Sequence, residues 1–136
     1  DVYKRQCYES IFSNEIDANT LNSDFIVHLT NDAWFGSYNG PQQHIVQIRA
    51  RAIEQGLPVL RSANTGISAL IDPYGRILKK IPLNIEGYID VKIPKKIDET
   101  LYSKFGSKKW NLLLICLFAL FYFLCFKKSK HKKTLM

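Results

Sequence analysis

Phe25-Ile26-Val27-His28-Leu29 is a short apolar run between polar stretches, and it reads as a buried strand. His28 within it reads as a core histidine whose hydrogen bonds are satisfied. The run feeds Thr30-Asn31-Asp32-Ala33-Trp34-Phe35-Gly36-Ser37-Tyr38-Asn39-Gly40, a loop rich in Gly and Asn that nevertheless carries three aromatics. Either Trp34 and Phe35 plug the loop onto the sheet or they face a ligand. Pro41 opens a helix over 41–55, because proline is favoured in a first helical turn and Ile45, Ile48 and Ala52 share one face. Gly56 is its natural C′ residue. Arg49, Arg51 and Glu54 on that helix read as structural ion-pair or solvent contacts. The next strand is 57–62, with Pro58 near its start. A turn over 63–66 leads to a hairpin in which 67–71 pairs with 76–81 across Asp72-Pro73-Tyr74-Gly75, and a further strand is expected over 87–93. Strand, helix, strand, hairpin describes half of an α/β or α+β layered domain, with one sheet face left uncovered by a single long helix.

Upstream lies Cys7-Tyr8-Glu9. These residues read as the end of a buried strand turning sharply into a helix, which leaves one thiol facing a cleft with the Tyr8 backbone N–H beside it. That is a nucleophile with half an oxyanion hole; the competing account is a small buried hydrophobe. A short helical turn through Ser10, Ile11 and Phe12 and a polar stretch over 14–22 follow. A central strand leading into Cys7 would be apolar and β-branched. Residues 1–6 are mostly charged and polar, so they are expected to be a non-native lead-in, and the chain a piece of something longer.

The formal charge of +7 is unevenly placed. All 12 acidic residues lie in positions 1–100 beside 11 Lys and Arg, whereas 101–136 holds eight Lys and no acid. Those lysines bracket the uncharged stretch 110–126, about 25 Å long as a helix, which predicts a transmembrane helix rather than a nucleic-acid surface. Residues 98–109 are then a juxtamembrane linker and 127–136 a basic tail against lipid headgroups. Charge alone does not set the topology, since lysines flank both ends. Cys116 and Cys125 would sit roughly 13 Å apart on that helix, too far to bridge. His28, His44 and His131 are scattered singly, so no metal is expected.

Three features together resemble the membrane-bound acyltransferases of the nitrilase, or carbon–nitrogen hydrolase, superfamily. They are Cys7-Tyr8-Glu9; Asn31-Asp32-Ala33-Trp34-Phe35-Gly36 with Gly40-Pro41 and His44; and Arg61-Ser62, Asn64-Thr65-Gly66 and Asp72-Pro73-Tyr74-Gly75-Arg76. Thr100 and Tyr102, then Gly106 and the apolar stretch, resemble the family's exit into its last membrane helix, so the likeness covers about residues 7–126. It implies that 7–97 is part of an αββα sandwich facing the periplasm of a bacterial inner membrane, with the tail cytoplasmic. The implied reaction moves a fatty acyl chain from a phospholipid, through a Cys thioester, to the α-amino group of the diacylglyceryl-cysteine that begins an apolipoprotein. Cys7 would be the nucleophile, the Tyr8 N–H an oxyanion donor and Glu9 a supporting carboxylate, while Trp34 and Phe35 would line the acyl entrance. No cofactor is implied, and the protein would act as a monomer. The family's general-base Glu and oxyanion Lys precede the Cys and have no counterpart here, and Ser107 stands where an Asp is usual. The 136-residue chain is therefore expected to be inactive alone. Two rivals use the same residues differently: a membrane-tethered amidase or nitrilase passing the acyl group to water, and a non-catalytic tail-anchored module in which Cys7 is merely packed.

Overall fold

The computed structural model describes residues 2–7, 9, 22–36 and 38–133, with side chains for all of these but 5, 106–110 and 124–133. It divides into two compact units, residues 1–104 and 105–136. The first is built on a five-stranded sheet in the order β1 (Val2–Gln6), β2 (Phe25–Asn31), β3 (Val59–Asn64), β4 (Ser68–Ile71), β5 (Ile77–Ile81). The first three strands run parallel; β4 and β5 follow antiparallel as a hairpin. Helix α1 (Asn39–Gln55) carries the chain from β2 back to β3, and Gly56 closes it in the left-handed conformation at φ 67°.

Alternation along the strands puts Ile26, Val59, Ala69 and Ile71 on one face. Ile45, Ile48 and Ala52 of α1 pack there, and the cluster is buried. Burying such side chains stabilises the fold by about 1.5–3 kcal/mol each. Leu57 joins the cluster where its N–H bonds the Ala52 carbonyl. Arg51 and Glu54 form the expected ion pair at 2.8 Å, and Arg49 Nε donates to the Gly75 carbonyl at 2.7 Å, tying α1 to the hairpin. Within the hairpin turn Asp72 accepts the N–H groups of Tyr74 and Arg76, so an Asx turn reinforces the Pro-Gly signal.

Two expectations change, and the polar lead-in is seen to pair: it forms β1, in register from Val2 opposite Phe25 to Gln6 opposite Leu29. Among the described strands β1 is an edge, and an edge strand tolerates exposed polar side chains that a central one does not. Residues 87–93 show the alternation of a strand but form no ladder; they lie beside β5, where the Lys79 ammonium donates to the Asp90 carbonyl at 3.2 Å. The linker expected over 98–109 is already helical from Leu101, where α2 (Leu101–Lys133) begins. Thr100 stops the preceding chain: its Oγ1 accepts the Ser103 N–H at 3.0 Å and meets the Glu54 carbonyl.

In the second unit, Leu112, Leu113, Leu114 and Ile115 occupy successive positions that together face all round α2, and each is exposed. The ends of the expected span, Trp110 and 124–126, lie outside the described side chains. Among the described residues no helix is long and apolar enough to cross a membrane.

Candidate active site

Three parallel strands share a direction, so their carboxyl ends gather on one edge of the sheet. In open α/β sheets that edge is where ligands bind. Here β1 delivers Cys7, β2 delivers Asn31 and Asp32, and β3 delivers Asn64, Thr65 and Gly66. The loops are stitched together by backbone: the Asp32 N–H donates to the Asn64 carbonyl at 3.1 Å. Gly66 is buried against Asp32, and a Cβ there would collide with the Asp32 carboxylate.

Beneath this edge the face that carries the apolar core turns polar. His28 and Arg61 sit opposite each other on β2 and β3, one step beyond the Ile26 and Val59 pair. Arg61 Nη1 donates to His28 Nδ1 at 2.8 Å, Nη2 to Asp32 Oδ2 at 2.6 Å, and Nε to the Ile67 carbonyl at 3.0 Å. Asp32 Oδ1 accepts from His44 Nδ1 at 2.9 Å, which comes from the first turns of α1. His28, Asp32, His44 and Arg61 are all buried. A buried charge is tolerated when paired and fully hydrogen-bonded, and the Asp32–Arg61 pair meets that condition.

The donors fix the tautomers. Because guanidinium only donates, His28 Nδ1 must be the bare nitrogen, and the proton sits on Nε2. That Nε2–H faces the Cys7 carbonyl at 3.1 Å. His44 Nδ1 also lies 3.2 Å from Arg61 Nη2; its shorter contact is to a charged carboxylate, so it carries the proton and donates to Asp32. Burial above all pushes the His28 pKa down to about 4, with the Arg61 charge adding to the effect and the Cys7 hydrogen bond opposing it. His28 is therefore neutral at pH 7. Burial alone would raise Asp32, but the His44 hydrogen bond and the Arg61 charge win and hold it below the usual carboxylate range. Burial lowers Arg61 against the pull of Asp32, from a value so high that the guanidinium stays charged.

Cys7 itself is exposed and has φ 45°, in the left-handed region that non-glycine residues avoid outside special sites. Glu9 is exposed, and its Oε2 accepts the Gln6 N–H at 3.0 Å, closing the turn that bears the thiol. Tyr8, and the helical turn expected at Ser10, Ile11 and Phe12, lie outside the described residues. The two loop aromatics separate. Phe35 is half-buried, with its ring centroid 5.3 Å from that of His44, and it lies against Gly40, where an added Cβ would come within 2.6 Å. Trp34, on the 3₁₀ turn Ala33–Phe35, is 84% exposed. Phe35 thus plugs the loop, while Trp34 stands out from it.

The buried quartet escaped the sequence reading as a unit, although His28 was expected to be a satisfied core histidine. The available signal was Arg61 within an apolar strand, since a charge there requires a partner on the neighbouring strand.

The pattern of the carbon-nitrogen hydrolase family matches residues 6–102, a span that takes in Cys7, the Asp32 loop, Arg61 and the hairpin. Similar proteins include the apolipoprotein N-acyltransferase of Rickettsia bellii, 50% identical over 119 residues, covering 87% of this chain and 24% of the relative. That of Bradyrhizobium diazoefficiens is 51% identical over 101 residues, covering 74% of this chain and 19% of the relative. That of Rickettsia typhi is 45% identical over 119 residues, with coverage of 87% and 24%. The chain thus spans about a quarter or less of the length of these relatives. With its thiol at the carboxyl edge of a mixed α/β sheet and the match running through most of its length, this chain belongs to the carbon–nitrogen hydrolase family.

Proposed function

We propose that the protein to which this chain belongs takes a fatty acyl chain from a phospholipid onto Cys7 and passes it to the α-amino group of the diacylglyceryl-cysteine that begins an apolipoprotein. The observation that carries this reading is the identity of 45–51% to proteins named apolipoprotein N-acyltransferase, beside a family match over residues 6–102 that takes in the exposed Cys7 at a strand end.

In the first step the Cys7 thiolate attacks the ester carbonyl, the C–O bond breaks, and the lysophospholipid leaves as an alcohol once protonated. In the second the lipoprotein amine attacks the thioester, the C–S bond breaks, and the thiolate is released as the amine gives up its proton. A thiol suits both steps, being a good nucleophile and a good leaving group. The Tyr8 N–H stabilises the oxyanion and Glu9 supports the thiol turn. The general-base Glu and oxyanion Lys come from the part of the protein ahead of Cys7, so the 136-residue chain does not turn over by itself. Exposed Trp34, on the loop that half-buried Phe35 plugs, forms the lip over which the acyl chain enters. The all-round apolar surface of α2 supports a membrane location, with the sheet unit in the periplasm of a bacterial inner membrane and the basic tail in the cytoplasm.

The test uses purified full-length protein, phospholipid and a diacylglyceryl-cysteine peptide. The expected product is a peptide one acyl chain heavier, lost in Cys7→Ala. Release of free fatty acid with no acylated peptide, or ammonia from a small amide, would indicate the hydrolase instead. Unchanged acylation by Cys7→Ala would make Cys7 merely structural.

A further inference from the structure

The backbone of residue 7 fixes the Cα–Cβ direction of Cys7, and with it the three staggered positions the thiol can take. That backbone holds φ 45°, a conformation a cysteine does not keep without support. Beside the Glu9 contact that closes the turn, that backbone is held by a hydrogen bond from a ring buried among charges. His28 is fully buried at 0% exposure, its Nδ1 is occupied by Arg61 at 2.8 Å, and its Nε2 lies 3.1 Å from the Cys7 carbonyl. Arg61 is in turn locked by Asp32 at 2.6 Å and by the Ile67 carbonyl at 3.0 Å. Asp32 caps the loop that carries Trp34 and Phe35, its carbonyl accepting the Phe35 N–H at 3.0 Å. A continuous chain of hydrogen bonds therefore runs from the aromatic lip, through Asp32, Arg61 and His28, to the backbone of the thiol residue.

We infer that His28 is a positioning residue for the nucleophile: its Nε2–H holds the Cys7 carbonyl, and with it the direction of the thiol, in register with the aromatic loop. This rests on the reading of Cys7 as the acyl carrier. The ring can do this because it is neutral: Arg61, His44 and Asp32 are the charged or titratable groups facing it, and Arg61 fills the only nitrogen that could take a second proton. A protonated ring would face the guanidinium and break the chain of donors.

The experiment measures single-turnover acylation of Cys7 in full-length protein by a labelled phospholipid, for wild type, His28→Ala, His28→Gln and His28→Asn. Glutamine places an N–H donor as many bonds from Cβ as the imidazole Nε2; asparagine falls one atom short. His28→Ala and His28→Asn are expected to acylate about ten- to a hundredfold more slowly, the scale of a nucleophile misplaced by about an ångström. The phospholipid concentration at half-maximal rate should stay within about twofold, and His28→Gln should recover most of the rate. Should His28→Ala fail to fold, the Gln and Asn pair decides alone. The inference is overturned if His28→Ala acylates at the wild-type rate, if His28→Gln is as slow as His28→Asn, or if only the half-saturating concentration moves. If wild-type Cys7 takes no acyl chain at all, the reading of Cys7 falls instead.

Discussion

Arg61 shows most plainly how a single side chain couples stability to the site. It makes three separate donations from one planar fork, to a histidine, a carboxylate and a carbonyl, in a place with no access to water. Lysine has one point of charge and cannot reproduce that geometry. Arg61→Met strands the buried Asp32 carboxylate, and a loss of about 3–5 kcal/mol is expected, read as a fall in the thermal unfolding midpoint. Arg61→Lys should recover only part of it. Gly66→Ala tests the same carboxylate from the other side: a methyl there meets Asp32, and a cost of about 1–3 kcal/mol is expected in the same assay. Trp34→Ala is the contrast. Because Trp34 is 84% exposed, its loss should change stability by no more than about 0.5 kcal/mol. If it lines the acyl entrance, the same substitution should raise the half-saturating phospholipid concentration several-fold with little change in maximal rate.

At the scale of elements, the core was legible because its signals are local. A continuous apolar run at 25–29, a proline-opened amphipathic helix ending at Gly56, and a Pro-Gly turn between alternating runs each reflect backbone preferences of a few neighbouring residues. What the sequence hid depends on neighbours far along the chain. The Val2–Gln6 stretch lacks the apolar run of a central strand, and its pairing is set by β2, far along the chain. Residues 87–93 looked like a strand because alternation records which side chains are covered, not whether the backbone is paired. The start of α2 does not coincide with the apolar boundary; its signal is Thr100, whose hydroxyl accepts the Ser103 N–H at 3.0 Å while meeting the Glu54 carbonyl at the end of α1. Thr100→Ala removes that cap, and about 1 kcal/mol of stability should go with it. Exchange of the Ser103 amide with deuterium should speed up accordingly.

For the whole molecule, the buried quartet makes stability depend on pH in a defined window. His28 has its pKa lowered to about 4 in the fold against 6.5 when unfolded, so between these values the unfolded chain holds the extra proton. Stability is therefore complete above pH 6.5, falls as the pH drops towards 4, and His28 alone accounts for a loss on the order of 3 kcal/mol. Asp32, also lowered, adds to the loss in the acid range. His28→Gln should flatten the midpoint-against-pH curve between 4 and 6.5 while leaving its acid limb. The quartet was invisible as a unit in the sequence because its members are spread from position 28 to 61 and meet only once β2 and β3 pair. The Cys7-Tyr8-Glu9 tripeptide stands out in the sequence as a local motif, whereas the contact between His28 and the Cys7 carbonyl joins residues 21 positions apart. The central claim is that Cys7 carries an acyl chain, and intact-protein mass spectrometry of the full-length protein after brief exposure to phospholipid addresses it most directly. The account predicts one long-chain acyl adduct on Cys7, removed by hydroxylamine as a thioester is; an acyl group on any other residue, or none on Cys7 while lipoprotein acylation proceeds, would contradict it.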